Sequence, residues 1–506
     1  MGSGNDRRPA RQVIPIGDTD DRATTGEQGS RDVVTTSPPG EGAVPADVGA
    51  FKRAASRLGV LRQTLVGAFG IMILAVLIAG VLNYAFNIIM TRMLGETGAY
   101  SQFYSLSAIF LIVTMAAASF QTVITKFVAE FETRSEQDNL KLLVHSFSRW
   151  FLYIVAAVMV ISVALAWPLA HVLKLDSPLF VVILGTSISM AVYLSLPMGL
   201  LQGQQKFIGL GSAAISQAVL RILFGVVLVA VGFGIYGALG AATLGGVVVA
   251  GIILYYYRDL FRGEVPPVRD FHPTSALRYL VPVAVAMFFI IMMTQIDVVL
   301  VRAVFSSHNA DLYSYGALAG KAVLFFPEGI SVVMFPIVAA RRSRGEPTRG
   351  VLGWSLGAVT VIVVAVAGFF ALFPNFTAWF FAGEKGKAIA NLKGVFGIDF
   401  IVLFGIAMAI FAMVKLLALY HLALERKAFI VFFVVGGIAE IAGILLYHRS
   451  LPSVLAVIIC VGLFLLIANL ALALVETPVS PPPSDTDLVS RQSVDLEMKT
   501  IEREAD

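Results

Sequence analysis

Residues 87–103, NIIMTRMLGETGAYSQF, form a short break between two long apolar runs, with a lone arginine, Arg92, and two glycines, Gly95 and Gly98. What such a break means depends on the solvent around the chain. Of 506 residues 58% are hydrophobic and 14% charged, with a mean hydropathy of +0.83, whereas soluble domains carry about 25% charged residues. A bilayer core about 30 Å thick needs about 20 apolar residues per crossing. Twelve runs meet that need: about 66–90, 100–125, 150–170, 178–200, 208–232, 234–257, 279–303, 312–340, 351–373, 395–423, 428–447 and 452–475. Each must be helical, because lipid offers no partner to an open sheet edge. The first run is preceded by 65 residues and no small-residue cleavage site follows it, so it reads as a span and not as a signal peptide. The expected fold is an all-α integral membrane protein of about 12 transmembrane helices.

The ends read differently from the middle. Residues 1–50 hold no Phe, Trp or Tyr but five prolines, eight glycines, eight acids and five arginines, a composition that cannot offset chain entropy and predicts a disordered tail. Residues 476–506, with eight acids against three basic residues, predict a second one. Between the first tail and the membrane, 51–65 set Lys52, Arg53, Arg57 and Arg62 against Phe51, Leu58, Leu61 and Leu65, the pattern of a basic interfacial helix. Alternate connections carry 19 and seven Lys or Arg residues, and the positive-inside rule then places both termini in the cytoplasm and Arg92 outside. The one cysteine, Cys460, excludes a disulfide within the chain.

Laid on itself at an offset of about 210, the chain aligns FNIIMTRML (86–94) with IDVVLVRAV (296–304), so that Asn87 meets Asp297 and Arg92 meets Arg302. A three-residue insertion then aligns 100–108 with 313–321. Six helices per repeat return the chain to its starting side, so the two six-helix lobes are related in parallel, about an axis along the membrane normal. The expected division is an N-terminal lobe over 66–258, a cytoplasmic linker over 259–278 and a C-terminal lobe over 279–475. Two such lobes are the body plan of an alternating-access transporter. A membrane-embedded polysaccharide polymerase or ligase is the competing class. The longest external connection, 374–394, holds one acid and three lysines, and no HExxH, Walker lysine or Ser-His-Asp set appears, so neither catalytic residues nor a metal or other cofactor are expected, and nothing points to nucleic acid.

NIIMTRMLGETGAYSQFYSL with FQTVITKFVAEF (120–131) resembles the first two helices of the polysaccharide transporter (oligosaccharide flippase) branch of the MOP, or multidrug, oligosaccharidyl-lipid and polysaccharide, flippase superfamily. Arg92, Leu94, Gly95, Gly98, Tyr100, Thr125, Lys126 and Phe127 occupy the family's motif positions. The resemblance extends over about 60–475, with its strong motifs in 86–131. It implies two MATE-like lobes rocking about a central cavity, and the outward flipping of a lipid-linked oligosaccharide or polysaccharide precursor for surface polysaccharide biosynthesis. The implied surroundings are a polyprenyl-phosphate-linked saccharide, membrane lipids, and glycosyltransferases or a polymerase, in the bacterial cytoplasmic membrane. A MATE-like exporter of small molecules is the alternative within transport.

Charges at membrane depth cost at least about 2.5–3.5 kcal/mol, so those that persist face a cavity or a partner. An anionic sugar phosphate needs cations and hydrogen-bonding groups, which makes Arg221, Lys321, Lys415 and Asn87 the candidate cavity residues. Each cation could equally pair with an acid to hold helices together. Asp297, Glu328 and Glu440 are the candidate coupling or ion-pair acids. At 1.5 Å per residue, Asp297 and Lys321 lie about 9 and 13 Å below their helix ends and could meet. Glu328, seven residues beyond Lys321, falls on the same helical face, with Pro327 introducing a kink. Arg92, Arg302 and Lys126 read most simply as helix-end anchors that snorkel. Tyr100 is expected at the membrane interface, as is His421. Gly95 and Gly98 supply the backbone freedom of a tight turn.

Overall fold

The computed structural model describes residues 48–134, 136–261, 274–390, 392–394 and 397–475. The expected tails and most of the linker lie outside these residues, as do the side chains of 51–65. The chain divides into one unit, Met1–Leu61, and a second, Arg62–Asp506, which contains everything below except the first residues of α1.

Apart from one isolated bridge between Lys393 and Asp399, the described residues are helices and their connections. In chain order these are α1 (Val48–Met93), α2 (Ala99–Thr133), α3 (Gln137–Val172), α4 (Leu179–Gly203), α5 (Phe207–Leu228), α6 (Gly234–Tyr256) and α7 (Thr274–Val304). They are followed by α8, broken into α8a (Ser307–Lys321) and α8b (Glu328–Ser343), then α9 (Arg349–Leu372), a loop helix (Pro374–Ala382), α10 (Phe400–Ala423), α11 (Ala428–Leu446) and α12 (Leu451–Leu474). Among the described residues ten stretches are long and apolar enough to cross a membrane, and eleven when the two arms of α8, bent by 41°, form one span. That count takes 207–256 as a single crossing. It is a hairpin: Gly232 and Gly234 take positive φ of 103° and 48° at its turn. Gly237 lies against Leu228 and Gly245 against Gln217 and Arg221, an antiparallel register. With that hairpin taken as two, the described residues hold twelve candidate spans, although α2 and α3 run well past the apolar runs that predict them.

The six-helix repeat is visible in the packing. In the first lobe α4 lies against α2, α3 and α6, and α5 against α6; in the second, α10 lies against α8a, α9 and α12, and α11 against α12. The fourth helix of each lobe is its core, with the most apolar windows of α4 and α10 61% and 72% buried. Close approach to α4 depends on Gly199 and Gly203. A Cβ on Gly203 would stand 2.5 Å from Val128 and 2.9 Å from the Thr125 carbonyl, which the α2 backbone cannot yield. Gly203→Leu is expected to destabilise the first lobe by about 1–3 kcal/mol or more, read as a lowered Tm of the purified protein. Gly240→Leu, at a position with nothing within 4 Å, should leave Tm unchanged; equal effects would mean that α2–α4 contact is not what Gly203 serves.

Candidate functional site

A cavity of about 410 Å³ lies between the lobes, with walls from α1, α2, α5, α6, α7 and α8. Its amide and charged groups are Asn83, Asn87, Gln217, Arg221, Gln295 and Lys321, and Tyr84, Tyr104 and Ser107 add hydroxyls. Asn87 is six residues before the end of α1 and Lys321 fourteen after the start of α8a, so the cavity sits about 9–21 Å below the α1–α2 turn. The difference from the 13 Å expected for Lys321 arises because α8a begins at Ser307.

Arg221 enters this cavity from α5. Its guanidinium donates to Asn83 Oδ1 at 3.1 Å and lies over the Phe86 ring at 4.4 Å, while its Nε has no hydrogen-bond partner among the described residues. A half-buried cation held by an amide and a ring face, with donor capacity unused, is suited to an incoming anion. Lys321, 4% exposed, is held instead by a salt bridge to Asp297 Oδ1 at 2.8 Å. Tyr313 donates its hydroxyl to Asp297 Oδ2 at 2.9 Å. The second cation is therefore paired, and its partner is itself fixed.

The remaining candidates fall elsewhere. Lys415 does not line the cavity; it pairs with Glu328 Oε2 at 2.5 Å. Glu328 does not share a helical face with Lys321. The helix tightens into a 3-10 turn at Ala322–Leu324 and breaks before Glu328, because Pro327 removes a backbone donor. Glu440 is fully buried on α11, beside α7, and neither carboxyl oxygen has a hydrogen-bond partner among the described residues. Lys126 is exposed on α2 but not at its end, since the helix continues to Thr133. His421 is wholly buried, 3.0 Å from the Asn469 carbonyl oxygen, and not at an interface.

Arg92 and Arg302 do something that snorkelling does not describe. Arg302, only 1% exposed, reaches from the second lobe to the first, donating Nε to Leu173 O at 2.9 Å and Nη2 to Lys174 O at 2.6 Å. These are carbonyls at the end of α3, where a cation is favoured. Arg92 reaches the other way, donating to Phe380 O at 2.9 Å with its guanidinium over Trp379. The repeat that aligns the two arginines also aligns their targets, the α3–α4 and α9–α10 connections. Three contacts complete the seam: Asp311 accepts from the Gly98 and Ser101 amides at 2.5 and 2.9 Å, Lys385 donates to Thr91 O and Leu94 O at 3.0 and 2.6 Å, and Lys174 donates to Phe305 O at 3.0 Å. Burial pushes the Lys385 ammonium below its ordinary value, with the Asp311 carboxylate acting against that shift.

This seam accounts for the opening motif. Gly98 has φ of 88°, and a Cβ there would stand 3.0 Å from Ser307. Gly95 has neither constraint. Tyr100 is fully buried and stacks between Tyr104 and Tyr315, at 5.4 and 5.2 Å, so its place is between the lobes and not at the membrane interface. Asp311 and Lys385 were missed by sequence reasoning. The available signal was the three-residue insertion in the repeat, which falls between 304 and 313 and so includes Asp311.

Residues 145–391 match the family described as "Polysaccharide biosynthesis protein". No curated protein matches the chain in sequence. Among solved structures, the fold is similar to an inward-facing multidrug resistance MATE family transporter of the MOP superfamily (TM-score 0.63, 13% identity, 83% of this chain and 95% of that one). An outward-facing structure of such a transporter matches at TM-score 0.59 and 14% identity, over 81% and 96%. A eukaryotic MATE transporter, AtDTX14, matches at 0.57 and 15%, over 83% and 97%. Family match and fold together support the polysaccharide-transporter branch of the MOP flippases. The fold is the one these MATE family transporters share, with several helices apolar enough to cross a membrane, and family match and fold together point to a multi-pass membrane transporter rather than to an enzyme.

Proposed function

We propose that the protein carries a lipid-linked oligosaccharide or polysaccharide precursor from the inner to the outer leaflet by alternating access. The observation that carries this reading is Arg221, a half-buried cation in a cavity lined by amides, hydroxyls and Lys321, with no acid among the lining residues. A guanidinium so placed suits the phosphate that links sugar to lipid. The exporter alternative needs acids facing a cationic drug, and the carboxylate beside this cavity, Asp297, is already taken up by Lys321 and Tyr313. With the positive-inside orientation, the seam of Arg92, Arg302 and Asp311 closes the outside, so the conformation is inward-facing. Asp297, Lys321 and Glu440 form the group that couples cavity occupancy to the lobes, and Glu328–Lys415 flanks the α8 hinge on its other side.

Vesicles containing the protein should render the head group of a labelled polyprenyl diphosphate sugar accessible in both leaflets, and protein-free vesicles should not; equal accessibility would end the flippase reading. Orientation is tested separately. With Cys460 removed, cysteines placed at Thr97 and His448 should react with an impermeant thiol reagent on intact cells and ones at Gln137 and Gly345 should not. The reverse pattern would invert the topology.

A further inference from the structure

The two lobes share a turn but treat its cation differently. Before α5 and before α11 the backbone is the same: Gln205 and Glu425 take positive φ of 56° and 55°, and the next amide donates back to Leu201 O at 2.9 Å in one lobe and to His421 O at 3.0 Å in the other. A cation follows each, Lys206 and Arg426. Arg426 is tied to the end of α12, donating to Leu472 O and Val475 O at 2.7 and 3.0 Å. Lys206 meets the end of α6 only as ring faces, its Nζ 4.8 Å from the Tyr256 ring centre and 5.0 Å from that of Tyr257. It makes no hydrogen bond or ion pair among the described residues. Tyr257 is fixed, donating to Gln204 Oε1 at 2.6 Å, while the Gln204 amide donates to Glu132 of α2. Ring faces hold an ammonium without neutralising it.

Beside this ammonium a crevice of about 410 Å³ opens between α5 and α6, with apolar walls that include Leu201 and Ile252 and no carboxylate among its lining residues. It follows α5 from Lys206 to Ser216, a rise of about 15 Å, whereas the headgroup layer on each side of a bilayer is about 5–8 Å thick. With Lys206 and the two tyrosines at helix ends, the mouth lies in that layer and the rest among hydrocarbon.

We propose that the crevice binds an anionic phospholipid from the leaflet on the side of the interlobe linker, the inner one in the positive-inside orientation, with its phosphate at Lys206 and the start of an acyl chain between α5 and α6. A cation with no acid beside it in the lining takes an anion. The Tyr256 hydroxyl, which has no partner among the described residues, can donate to a phosphate oxygen. Ser212 lies about 9 Å further along α5, the depth of the glycerol esters, and the apolar walls suit a chain that never leaves the membrane. Because α6 ends at Tyr257, such a lipid joins the α4–α5 turn to the start of the linker and stabilises the first lobe. A lipid held without regard to its charge is the competing occupant.

The full chain in phosphatidylcholine nanodiscs is irradiated with a phosphatidylglycerol bearing a diazirine next to its ester, or with a phosphatidylcholine bearing the same group. The phosphatidylglycerol probe should label residues within 201–216 and 249–257, and unlabelled phosphatidylglycerol should suppress that labelling where phosphatidylcholine and inorganic phosphate do not. Lys206→Ala should weaken the binding about fivefold, the factor that one lysine contributes near an anionic lipid surface, and Lys206→Arg should retain it. Phosphatidylglycerol should raise Tm in the parent chain and in Lys206→Arg but not in Lys206→Ala. Equal labelling by the two probes, or unchanged binding in Lys206→Ala, would make the crevice ordinary lipid annulus and overturn the proposal. Suppression by inorganic phosphate would overturn it as well, by making the site one for a free anion.

Discussion

Lys321→Ala is expected to abolish translocation of the lipid-linked saccharide while the protein still inserts. Two separate effects are expected. Removing one member of a buried pair leaves the other uncompensated, at a cost of about 3–5 kcal/mol, and Asp297 at 1% exposure would retain only the Tyr313 hydroxyl. Stability therefore falls along with function, and the single variant alone cannot separate them. Exchanging the two residues, with Lys at 297 and Asp at 321, restores the pair and should restore Tm. It should not restore transport, because the cation then no longer lies on the α8 segment that faces the cavity. The reading behind this is that Lys321 alternates between Asp297 and the substrate phosphate, so that binding frees a carboxylate beside Glu440 and changes which lobe arrangement is favoured. An exchange variant that transports normally, or a Lys321→Ala variant that does, would reduce the pair to a structural strut.

Much of this architecture was legible from residue order because the bilayer imposes it. Apolar runs of spanning length must be helices, and their number survives in the structure even where 207–256 looks like one long helix. The turn at Gly98 was legible too, since a reversal that tight needs a residue tolerant of positive φ. Helix ends were not. Nothing stops α2 or α3 at the edge of the apolar stretch, so both continue and carry Lys126 away from a terminus.

The site was legible by type and not by partner. Burial cost alone singles out Arg221, Asp297, Lys321, Lys415, Glu328 and Glu440, but which cation meets which acid depends on contacts between segments tens to hundreds of residues apart. Asp297 and Lys321 meet because α7 and α8a are neighbours. Glu328 turns away because one proline breaks the helix, a change that period counting along an unbroken helix cannot represent. Tyr100 and Arg302 were misplaced for a shared reason. An aromatic ring or long cation near a helix end looks suited to the membrane interface whenever the opposite lobe is invisible, and in both cases the other lobe is what buries it.

That same lobe contact gives the second large effect. Asp311→Ala should shift the protein toward the state open to the outside. Asp311 accepts from two amides at the start of α2, where the first amides have no partner within the helix and a negative charge is favoured. Hydrogen bonds to a charged group contribute about 1.5–3 kcal/mol each. Since water satisfies these amides once the seam opens, a net loss of about 2 kcal/mol is reasonable, which is a roughly thirtyfold shift in the equilibrium. Arg302→Ala should act in the same direction, because the α3 carbonyls it satisfies are likewise solvated on opening. Neither residue lines the cavity that holds Arg221, so the effect should appear without loss of head-group binding. A cysteine at Ser107, in the cavity wall, reports it: reaction with an impermeant reagent added outside should accelerate by about that thirtyfold factor in either variant. An unchanged rate in both would mean that the seam follows the lobes and does not hold them.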